Sequence, residues 1–127
     1  MKQIGMFALA GSVGYLVDVV VLLLANLVVG PHLGRLISFS VAVVATWLIN
    51  RKHTFINYRE QSLITEFARY FTTALGGGVV NLLIYSSLVN LLELTTLWLP
   101  LAVAIGALVG MLINFMLAKH FVFSYPK

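Results

Sequence analysis

Four apolar stretches, each about as long as a membrane-crossing helix, leave this chain almost no room to be anything else. A span of the hydrocarbon core takes roughly 20 mostly apolar residues, and such stretches lie at Ile4–Val29, Leu33–Ile49, Tyr70–Leu92 and Leu97–Ala118. Only 9% of the residues are charged and 61% are hydrophobic, whereas a soluble domain carries about 25% charge. Water is therefore excluded as the solvent for most of the surface. The expected fold class is an all-α membrane protein with four transmembrane helices, a single domain over residues 1–127. The first stretch follows Lys2 as a secretory signal would, but its length and the central Asp18 mark a retained span. With no cysteine in the chain, disulfides, thiolate metal sites and cysteine nucleophiles are excluded.

Charge sets the expected topology. Lys2 precedes the first span, Arg51, Lys52, Arg59 and Arg69 lie between the second and third, and Lys119 and Lys127 follow the fourth. The positive-inside rule places that side in the cytoplasm, giving N-in and C-in with an even number of spans in a cytoplasmic (inner) membrane. The segment from Arg51 to Arg69, which also holds Glu60 and Glu66, is expected on the cytoplasmic surface. Trp98 and Pro100 open the fourth span at the outer interface, where an indole sits well and proline at a helix start costs little.

The sequence also matches itself. Gly14-Tyr15-Leu16-Val17-Asp18 falls on Gly77-Gly78-Val79-Val80-Asn81, and the stretch from Thr46 to Phe55 on that from Asn114 to Phe123. Two tandem helical hairpins, about 1–58 and 64–127, are expected to be parallel in orientation and to form one bundle. Gly34, Ser38, Ala42, Thr46 and Asn50 recur every fourth residue, as do Ala102, Gly106, Gly110, Asn114 and Ala118. That spacing keeps each set on one helix face, where small residues let helix backbones approach closely. Beyond packing, the polar ends of these stripes are expected to line a cytoplasm-facing cleft.

Two groups of residues stand out as site candidates. Asp18 is a carboxylate inside a span, which costs roughly 2.5 to 3.5 kcal/mol to insert, so it is expected to face the bundle together with Asn81. Arg35 is its possible charge partner, although it starts nearer the surface and has to reach inward. Arg51, Lys52 and Lys119, with Arg69, form a basic site at headgroup level, where a phosphate would sit. Thr46, Asn50 and Asn114 supply neutral hydrogen-bond groups along a polar seam, and Trp47 a flat apolar face. His53 and His120 are read as interfacial residues. No phosphate-cradling Gly-Lys-Ser/Thr loop, carboxylate pair, nucleophile with base or metal-ligand cluster is present, so neither an enzyme nor a bound cofactor or metal is expected.

Arg69-Tyr70-Phe71 before a Gly-rich span, Asn50-Arg51-Lys52-His53-Thr54-Phe55, and Asn114-Phe115 through Lys119-His120-Phe121-Val122-Phe123 together resemble the GtrA-like family over essentially the whole chain. His53 stands where that family commonly has tryptophan, Thr46 where asparagine is usual, and Met6 where a basic residue should open the first span. These departures count against a strictly two-fold phosphate site. The resemblance implies a role in cell-surface polysaccharide synthesis, in a group thought to move polyprenyl-phosphate-linked sugars across the cytoplasmic membrane. It also implies kinship with membrane regions of dolichol-phosphate-mannose synthase-type glycosyltransferases.

The leading expectation is a flippase for a polyprenyl-monophosphate sugar, with the phosphate at Arg51, Lys52 and Lys119 and the sugar passing Asn50, Thr46 and Asn114. Asp18 and Asn81 would hydrogen-bond the sugar or gate the path. The alternatives are a membrane anchor for a polyprenyl-phosphate glycosyltransferase and, behind it, a small multidrug-type proton antiporter. Expected partners are the sugar lipid, membrane lipids and further copies of the chain in a homo-oligomer, and no nucleic acid.

Overall fold

The computed structural model describes residues 2–56 and 62–123, which are helical apart from short turns. Four helices among them are long and apolar enough to cross a membrane. They are α1 (Lys2–Gly30), α2 (Leu33–Thr54), α3 (Leu63–Leu91) and α4 (Leu99–Leu117), the last continued by a π-helical turn at Ala118–Val122. Arg59, Glu60 and Lys127, charges used above to orient the chain, lie outside the described residues.

α1 and α2 follow one another almost without a linker. The helical run Lys2–Ile49 is broken at Gly30, where φ is 84° and ψ is 175°, a backbone that glycine alone adopts freely. A turn at residues 92–95 and a 3-10 turn at Thr96–Trp98 join α3 to α4. Three boundaries differ most from the apolar pattern: α2 runs to Thr54 rather than Ile49, α3 starts at Leu63 rather than Tyr70, and the fourth span continues to Val122 rather than Ala118. Much of the polar segment expected as a surface connection is thus helix, capped at its restart by the Ser62 hydroxyl, which accepts from the Thr65 N–H.

The small-residue stripes are the inward faces. Ser38, Ala42 and Asn50 are buried on α2, and Ala102, Gly106, Gly110 and Ala118 on α4. A Cβ on Gly14 would overlap the Thr46 methyl, and one on Gly34 would lie 3.2 Å from the Asn26 nitrogen, so α1 and α2 touch along much of their length. α3 and α4 pack backbone to backbone: a Cβ on Gly110 would lie 2.8 Å from the Gly77 carbonyl oxygen, and one on Gly106 2.7 Å from that of Asn81. A Cβ on Gly77 would in turn overlap the Asn114 amide.

Each hairpin ends in the same device. π-helical turns at Asn50–Thr54 and Ala118–Val122 are closed by the Phe55 N–H on the Asn50 carbonyl at 2.8 Å and the Phe123 N–H on the Ala118 carbonyl at 2.9 Å. The extra residue per turn places Phe55 and Phe123 in the interior, stacked 4.6 Å apart with 10° between their planes. Lys52, His53, Lys119 and His120 stay exposed on the outside of the same turns. Phe7, Val43, Tyr70 and Val122 complete a core gathered at this basic end.

Candidate functional site

Above that core the hairpins part around a cavity of about 700 Å³, inside the ~300–1,000 Å³ range of ligand pockets. Its α1 lining runs from Phe7 to Leu22, a depth of about 22 Å at 1.5 Å per residue. All four helices contribute to the wall. Tyr15, Asp18, Arg35, Thr46, Asn50, Tyr70, Thr73, Asn81 and Asn114 are its polar members, among more numerous small and apolar neighbours such as Gly14, Ala42, Gly77 and Met111. Asn114 Oδ1 is buried there with no hydrogen-bond partner among the described residues. It lies where a Cβ on Gly77 would stand, so the contact between α3 and α4 covers it.

The basic end of the cavity is shut. Phe7 meets Phe115 edge to face at 5.5 Å, and Phe55 lies against both Phe115 and Phe123. Beside these rings, side-chain bonds tie the two hairpins together. Asn50, 1% exposed, donates its amide N–H to the Tyr70 hydroxyl at 2.8 Å and accepts from the Thr54 hydroxyl at 2.7 Å. Glu66 Oε1 accepts from Trp47 Nε1 and from Arg51 Nε, both at 2.9 Å. Burying this carboxylate, 0% exposed, is tolerable because a cation and an indole N–H meet it there. Glu66, expected on the cytoplasmic surface, is thus corrected to an interior residue.

The far end is different. Asp18 and Arg35 form an ion pair inside the first hairpin, with Arg35 Nη1 at 2.6 and 2.5 Å from the two carboxylate oxygens. Arg35 does reach inward far enough. Leu27, Val28 and Leu91 are more than four-fifths exposed at this end, as lipid-facing side chains would be.

Asp18, Thr46, Asn50, Asn81, Asn114 and Arg35 therefore come together on one cavity wall, while the residues assigned to phosphate do not share it. Arg51 is engaged by Glu66, Arg69 donates to the Phe121 carbonyl at 3.3 Å, and Lys119 sits 5.9 Å from the Phe115 ring centre. Lys52 is exposed. Trp47 does not line the cavity; its ring packs on Phe67 at 5.0 Å and its N–H is spent on Glu66. Sequence reasoning placed Thr73 on an inward face but did not single out Glu66 or Tyr70, which lie with it. Their spacing of four and three residues continues the Thr73-Gly77-Asn81 face of α3 back toward its start, which is the signal that would have found them.

Four apolar helices around a mostly apolar cavity that carries a few polar side chains define a multi-pass membrane protein. The chain belongs to the GtrA/DPMS transmembrane-domain family, whose model matches residues 6–123. Membership fits a membrane role in polysaccharide synthesis. A search of curated proteins finds no match to the chain.

Proposed function

We propose that the protein carries a polyprenyl-monophosphate-linked sugar from one leaflet to the other, with its basic end in the cytoplasm. The observation that carries this reading is the cavity of about 700 Å³, mostly apolar but with Thr46, Thr73, Asn81 and Asn114 set into its lining, within the depth of the apolar spans. Sugar hydroxyls would exchange water for Asn81, Asn114, Thr46 and Thr73, while the isoprenoid tail stays in lipid throughout. Burying hydroxyls costs little only where each finds such a partner.

The phosphate is met at the basic end by Lys52 and Lys119, which are exposed. Arg51 joins them when it leaves Glu66. That exchange would loosen the ties between α2 and α3, and the aromatic plug could then part to admit the headgroup. No cofactor takes part and no covalent bond changes. Proteoliposomes should therefore speed leaflet exchange of a fluorescent polyprenyl-phosphate sugar. Failure with every such lipid offered would sink the proposal.

The exposed Lys52, His53, Lys119 and His120 favour a second reading, in which the basic end docks a glycosyltransferase near its lipid acceptor. The two separate cleanly. Asp18→Ala is expected to slow exchange about tenfold or more, since it leaves a guanidinium without its counter-charge in the cavity, yet it should leave enzyme docking unchanged. Charge reversal at Arg51 and Lys52 should release a docked enzyme from membranes. The antiporter alternative loses ground, because Asp18 already has Arg35 as its cation.

A further inference from the structure

Arg35 is the one arginine or lysine between Lys2 and Arg51, and none lies between Arg69 and Lys119. It sits at the start of α2, on the cavity wall, at the end away from Lys52 and Lys119. One nitrogen, Nη1, serves both oxygens of Asp18. Among the described residues no other acceptor reaches the guanidinium, and the Arg35 side chain is 56% exposed. Nε and Nη2 thus keep open donor positions at the cavity mouth.

We infer that Arg35 is a second phosphate station, which takes the phosphodiester of the lipid-linked sugar at the far mouth of the cavity. The identity of the ligand rests on the transport reading above. A planar guanidinium matches two phosphate oxygens with parallel N–H bonds, and an anion that crosses the membrane needs a cation where it leaves as well as where it enters. Asp18 has two effects. It neutralises Arg35 while the station is vacant, when a lone guanidinium inside a span would be costly. It also competes with the ligand for that charge, so the headgroup is held weakly enough to be released, as conduction through any multi-site path requires.

The test is equilibrium binding to purified protein in detergent, in a Lys52→Gln/Lys119→Gln background that removes the two exposed lysines of the basic end. The probe is farnesyl methyl phosphate, a sugar-free phosphodiester, with farnesol as the uncharged control. Arg35→Gln is expected to weaken binding about tenfold, the worth of one charge-assisted hydrogen bond, and Asp18→Asn to tighten it by a similar factor. The opposite signs are decisive, because either substitution removes the same ion pair and a purely structural role would move both the same way. Changes of the same sign, no change in either, or farnesol binding as tightly as the phosphodiester would overturn the station. Dimethyl phosphate bound with the same dependence on Arg35 would support it and assign it to the headgroup alone. If Arg35→Gln does not fold, Asp18→Asn decides: tighter binding supports the station and weaker binding overturns it. A station that behaves this way in a protein that flips no sugar lipid stands while the transport reading falls. A flipping protein whose Arg35→Gln variant binds and flips like the parent loses the station alone.

Discussion

Glu66→Gln is expected to lower stability by about 3 kcal/mol, the lower end for removing one partner of a buried ion pair. The isosteric amide keeps the volume but not the charge, and Arg51 is left beside a dry interface. The lower end applies because the Arg51 side chain is 23% exposed and can turn toward headgroups and water. Melting in mild detergent measures the loss. Adding Arg51→Gln should restore much of it, since the pair then disappears together, and the double-mutant cycle gives the coupling directly. A cycle with no coupling would mean that the α2–α3 tie is not electrostatic.

Gly110→Ala should be nearly as damaging, at about 1–3 kcal/mol for overpacking a filled interface. Its new methyl would stand 2.8 Å from the Gly77 carbonyl and 3.1 Å from Asn81 Cβ. A carbonyl in mid-helix cannot turn away as a flexible side chain can, so α3 and α4 would have to separate. Gly78→Ala, on α3 beside Gly77, is the control, since nothing lies within 4 Å of a Cβ there. It is expected to be neutral or slightly stabilising, because alanine favours helix over glycine. Equal melting of Gly110→Ala and the parent would show that these helices are not in backbone contact.

The spans, the stripes and the inward reach of Asp18 were legible because each rests on short-range periodicity. Gly77 with Asn81, and Gly110 with Asn114, could each be placed on one face of their own helix from spacing alone. Pairings across the middle of the chain were not. Arg51 counts toward topology as a positive charge at a boundary, and nothing in that rule reveals that Glu66, 15 positions later, neutralises it. For the same reason Trp47 reads as a surface for a sugar and proves to be part of a hairpin tie. The π-helical ends were hidden too, since Asn50-Arg51-Lys52-His53-Thr54 is polar enough to pass for a loop and only burial of Phe55 explains why it stays helical.

Gly30 limits how the protein can move. A single inverted residue, with φ at 84°, gives the first pair of helices no slack to slide past each other by a turn, so they travel as one stiff lever. Any rearrangement must then move the lever as a whole. The cost of switching falls on a few contacts between the two levers rather than on the long seams within them.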